Sequence, residues 1–140
     1  MQLLIYGSKE FSSTVMELAE DCGYQIAGFI DDFSQEPHVL GPFDRVKTTH
    51  PPQRFHIAMA IGYESLSARW KVWERVKSAG FTVPPLVHPR AYVARSASVG
   101  EGAMIMAGAN VDVRARIGDI AVVWPGACVS HDSTVGENCF

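Results

Sequence analysis

The chain is short of cysteine, of any block of one charge sign and of long apolar runs, and each shortage removes a class of protein. Cys22, Cys128 and Cys139 are scattered and odd in number. They give neither a zinc-ligand spacing nor a disulfide framework, so reduced thiols are expected. A formal net charge of -3, with 19% of 140 residues charged, leaves no basic footprint for nucleic acid. The opening MQLLIYG lacks a basic leader, and its apolar run is too short for a signal peptide or a membrane span. The cytoplasm is therefore the expected compartment. With 47% of its residues hydrophobic, the chain has room for one domain or two small ones around a real core.

What the chain does have is a period. From Ala91 it reads AYVARS, ASVGEG, AMIMAG, ANVDVR, ARIGDI, AVVWPG, ACVSHD, STVGEN. The third place of each hexad is aliphatic: Val93, Val99, Ile105, Val111, Ile117, Val123, Val129 and Val135. The first is small, seven times alanine and then Ser133. Ile, Val and Leu fill roughly one place in five of an ordinary chain, so this register has a chance frequency on the order of one in 10^5 to 10^6. First and third places share strand parity and point the same way, filling a narrow interior while the other places face out or turn corners. Such repeats build a parallel β-helix, three hexads to a triangular coil. Eight hexads make fewer than three coils.

The first part follows a different grammar. Gln2 to Tyr6 is an apolar strand meeting Gly7. Ser8 to Ser13 then reads as a loop, and Thr14 with Glu17 as a capping box opening a helix to about Cys22. Gly23 stops it, and Gln25 to Ile30 is a second strand ending on Asp31 and Asp32. A loop carrying Pro37, Gly41 and Pro42 runs through Thr48 to Pro52 into a third strand, Phe55 to Ile61, closed by Gly62. Leu66, Trp70, Trp73 and Val76 fall at helical spacing, which assigns the tryptophans to the core. This is half of a doubly wound α/β fold, small for a complete dinucleotide site. Pro84, Pro85 and Pro89 stiffen the junction, and the boundary is placed near Leu86, giving domains 1–86 and 87–140.

Two places carry chemistry. Gly7 after the first strand lets helix N-terminal amides approach a phosphate, and Asp31 at the end of the second can take a ribose hydroxyl. The second and third glycines of the dinucleotide fingerprint are missing, and a strand-ending Asp also serves as a turn cap. Lys9 is read as a solvated loop residue. In the repeats, His131 is the lone histidine, fifth in its hexad at a corner and facing out, with Asp132 beside it. An outward imidazole near a carboxylate is the equipment of a general base, although a plain surface histidine fits the spacing too. One histidine is too few for a zinc site, so no metal is expected. His88, before Pro89, is read as shaping how the chain enters the first coil.

In order and spacing LLIYG, GFIDD, AIG, LVHPRAYVARSASVGEGAMIMAGANV, ARIGD and GACVSHDSTVGEN resemble the bacterial nucleotide-sugar acetyltransferases of the sialic-acid O-acetyltransferase type, with relatives that N-acetylate UDP-4-amino sugars. The resemblance covers nearly the whole chain. It implies a Rossmann-like nucleotide-sugar domain, a left-handed parallel β-helix, a homotrimer, and acetyl-CoA as donor in surface-glycan precursor synthesis. It implies His131 as the base, Asp132 as its support, and nucleotide-sugar contacts at Gly7 and Ser8, Asp31 and Asp32, and Ala60, Ile61 and Gly62. The alternatives are a non-catalytic trimeric nucleotide-sugar-binding or scaffold protein and a sialic-acid-type O-acetyltransferase. Three features depart from the family pattern. Lys9, Glu10 and Ser12 stand in a loop that is usually glycine-rich; Trp124 stands where many relatives carry asparagine; and the hexads stop at Phe140 where relatives continue. The last departure suggests a shortened chain with little transferase activity.

Overall fold

The computed structural model describes all residues, Met1–Phe140, in two compact units, Met1–Val83 and Pro84–Phe140.

The first unit is a four-stranded parallel sheet, β1 (Gln2–Tyr6), β2 (Gln25–Ile30), β3 (Val39–Gly41) and β4 (Phe55–Met59), in the order β3-β2-β1-β4. Leu3, Leu4 and Ile5 of central β1 are fully buried, as a parallel strand covered on both faces requires. Helix α1 runs Glu10–Asp21 and buries Val15, Leu18 and Ala19 at helical spacing. It begins a turn before the expected capping box. Thr14 is exposed within the helix, and Lys9 takes the N-cap position with no side-chain cap.

The expected loop before the third long strand instead contains β3 and a short helix α2, Phe43–Thr49. The reason lies far away in sequence: Asp32 Oδ1 accepts the Phe43 N–H at 2.9 Å, capping a helix eleven residues on. Strand β4 ends at Met59 rather than Ile61. Helix α3, Leu66–Ser78, has Ser65 as N-cap, its hydroxyl accepting the Ala68 N–H at 3.1 Å. Trp73 and Val76 are core as expected, but Trp70 is half-buried and Leu66 is exposed. Their place on the buried face is taken by Arg69, whose Nε–H donates to Ile61 O at 2.9 Å.

The second unit is the left-handed β-helix, nine two-residue strands from β5 (Leu86–Val87), through β6 (Tyr92–Val93), β7 (Ser98–Val99), β8 (Met104–Ile105), β9 (Asn110–Val111), β10 (Arg116–Ile117), β11 (Val122–Val123) and β12 (Cys128–Val129), to β13 (Thr134–Val135). They form three parallel sheets, β5-β8-β11, β6-β9-β12 and β7-β10-β13, each stepping 18 residues per coil. The count of hexads is nine, not eight. Pro85 to Arg90 makes a hexad of its own, with Val87 in third place and the Leu86 N–H bonded to Ala103 O at 2.9 Å. Proline in first place hid it. Leu86 thus lies inside the coil, and the break between units falls after Val83.

Coil interiors hold what the repeat placed there: Ala103, Ile105, Ala109, Val111, Ala115, Ile117, Ala121 and Val123 are buried, and Val129 and Val135 of the last coil are half-buried against them. At the corners the sixth hexad place takes positive φ, at Gly102, Gly108, Arg114, Ile120, Gly126, Asp132 and Asn138. Glycine takes this geometry freely; the four larger residues do so at some strain. Coils also touch too closely for a side chain at Gly118, where an added Cβ would lie 2.4 Å from Glu137 N.

Candidate active site

On one edge of the β-helix, Ser96, Arg114 and Asp132 occupy the sixth place of successive coils, 18 residues apart. Neighbouring coils lie about 4.8 Å apart, so these side chains meet although they are remote in sequence. The Arg114 N–H donates to Ser96 Oγ at 3.0 Å. Its guanidinium forks onto the carboxylate above, Nε–H to Asp132 Oδ1 at 2.6 Å and Nη2–H to Oδ2 at 2.9 Å. Oδ2 also faces His131 Nδ1 at 2.8 Å. The imidazole is 71% exposed. Hydrogen bonds from Arg114 and then His131 hold the Asp132 carboxyl far below the ordinary carboxylate range. Arg114, in turn, is raised by the bond to Asp132. Sequence reasoning put His131 and Asp132 on the rim and missed Arg114. Its signal was the spacing, since three hexads separate it from Asp132.

In the first unit the ends of β1, β2 and β4 bring the other candidates together. Gly7, at φ 119°, passes so close to β4 that a Cβ would sit 2.5 Å from Ala60 O. Its N–H donates to Ile30 O at 2.8 Å, and the Ala60 N–H to Tyr6 O at 2.7 Å. This locks the glycine against Ala60 between the two neighbouring strands. The Ser8 hydroxyl donates to Asp31 Oδ2, while Asp31 Oδ1 accepts the Phe33 and Ser34 N–H groups, each at 2.9 Å. Burial pushes the Asp31 carboxyl up, but Ser8 and the two amides outweigh it and hold the group below its usual value. Asp32 faces elsewhere, onto the Phe43 amide, the Tyr6 hydroxyl and Arg75 Nη1. Ile61 contributes its carbonyl to Arg69, and Gly62 stands before a short 3₁₀ turn, Tyr63–Ser65.

His88 sits on the first coil, where its Nδ1 accepts the Arg90 N–H at 2.9 Å. No three His, Cys, Asp or Glu side chains gather as a metal-ligand set. No helix is long and apolar enough to cross a membrane.

Residues 2–76 match the family model described as the PglD N-terminal domain. The chain belongs to that family. Over 99% of its length it superposes on PerB from Caulobacter crescentus, solved with CoA and GDP-perosamine, at 29% identity, with a TM-score of 0.88 and 67% of that chain covered. The acetyltransferase domain of PglB from Neisseria gonorrhoeae matches over 98% of this chain and 68% of its own, at 29% identity and a TM-score of 0.85. The same domain in complex with acetyl coenzyme A matches at 28% identity and 0.83, over the same shares of the two chains. Family and fold identify an acetyltransferase of the hexapeptide-repeat kind.

Proposed function

We propose that the chain transfers acetyl from acetyl-CoA to the amine of a nucleotide-linked sugar, with His131 as general base. The observation that carries the assignment of the base is the 2.8 Å contact between His131 Nδ1 and Asp132 on an exposed rim. Asp132 accepts the Nδ1 proton, which fixes the tautomer and leaves Nε2 as the basic lone pair. That nitrogen takes a proton from the acceptor amine as the amine attacks the thioester carbonyl. A C–N bond forms, the C–S bond breaks, and the proton passes from His131 to the departing thiolate. The thioester is already activated, so the chain's work is positioning and proton transfer.

The nucleotide-sugar end belongs to the first unit. Gly7 and Ser8 approach the phosphates, Asp31 takes a ribose hydroxyl, and Ala60, Ile61 and Gly62 line the neighbouring strand end. The ligands of the solved relatives, CoA with GDP-perosamine and acetyl coenzyme A, support both substrates. We place the reaction in the cytoplasm, in surface-glycan precursor synthesis, and assign a homotrimer as the working assembly. The test is thiol release from acetyl-CoA with UDP-, dTDP- and GDP-linked amino sugars. His131→Ala should lower kcat by about 10²–10⁴-fold; a variant at full rate removes His131 as base. A chain that is stabilised thermally by a nucleotide sugar but indifferent to acetyl-CoA is a binding scaffold instead.

A further inference from the structure

We infer that Arg114 is a positioning residue for the proton transfer, acting through Asp132 on His131; this rests on the reading of His131 as base. An exposed His-Asp pair lacks a scaffold of its own. Neighbours in sequence on a corner, with Asp132 48% and His131 71% exposed, have no packing to hold one rotamer against many. A lone surface ion pair is worth little for the same reason. Here the carboxylate is held by something stiffer. The planar fork of Arg114 reaches it with two parallel N–H···O bonds, the geometry in which arginine gives direction as well as charge.

The fork is itself anchored. Arg114 stands on a corner with φ 58°, and its N–H is tied to Ser96 Oγ in the coil below. Asp132 has φ 59°, with its N–H bonded to Val113 O at 2.9 Å. Both ends of the clamp are therefore fixed by the stacked backbone, and the strained corner geometry aims both side chains along one edge. Because Oδ2 serves Arg114 Nη2 and His131 Nδ1 together, the angle of the imidazole follows the angle of the guanidinium. The charges around the base are Asp132 beside it, Arg114 behind that carboxylate, and Asp112 near Arg114.

Arg114→Met should lower kcat about 10- to 100-fold by misplacing the base while KM for both substrates stays within about twofold. Arg114→Lys restores the charge without the fork, so kcat should recover only in part. An Arg114→Met protein with unchanged kcat, or one whose KM rises in step with the fall in kcat, overturns the inference. Should Arg114→Met fail to fold, Arg114→Lys decides alone: full kcat refutes the fork. His131→Ala keeps the two readings apart. If that variant loses its rate while Arg114→Met behaves as the parent, the base stands and the clamp falls; if it keeps its rate, the base itself falls.

Discussion

A carboxylate offers about four acceptor positions; Asp31 and Asp32 each fill three, and the donors separate them. Those of Asp31 are the Ser8 hydroxyl and the Phe33 and Ser34 amides, all in the loops at the strand ends where we propose that the nucleotide sugar binds. Those of Asp32 are Tyr6, Phe43 and Arg75, which makes it a brace for α2. Asp31→Asn should weaken nucleotide-sugar binding by about 10-fold or more, the worth of a charge-assisted hydrogen bond, whereas Asp32→Asn should leave the Kd near that of the parent and lower Tm; titration calorimetry and melting distinguish them. Asp31 also sets an acid limit. Its folded pKa lies below the unfolded value of about 3.9, so its contribution to stability is present above that value and lost as pH falls toward the folded one. Chemical denaturation at pH 6 and pH 3 should show the loss, and Asp31→Asn should reduce it.

Elements were legible in the sequence to the extent that their causes were local. The hexads announced themselves because interior places must alternate with corners, and β1, β2 and α3 followed from apolar runs, glycine stops and helical spacing. Helix α2 and strand β3 did not, since only two apolar residues, Phe43 and Val46, mark the helix and its cap comes from Asp32 eleven residues earlier. The first hexad was missed for the opposite reason, because Pro85 breaks the small-residue rule while the Leu86 bond to Ala103 keeps the stacking. At this scale the tight point is between coils. Gly118→Ala must displace the backbone at Glu137, a strain that should cost about 1–3 kcal/mol and appear as a lower Tm. Gly136→Ala, with nothing within 4 Å of the added carbon, is the control and should melt near the parent.

For the whole molecule, the rim edge and the ends of β1, β2 and β4 lie in different units, and residues of both were legible in the sequence. What the sequence did not show was Arg114 as the partner of Asp132, because the two meet only once the coils are wound. On the proposed trimeric assembly, the protein should elute with the scattering mass of three chains, unchanged on dilution across the working range; a stable monomer with full activity would remove that assembly. The winding also restricts how such a chain can change in length. One additional hexad between Arg114 and Asp132 would let every strand find a partner, yet it would carry the acid round to the next edge of the prism, above Ile120. Only an insertion of 18 residues, or a multiple of it, would return the acid to the guanidinium's own edge.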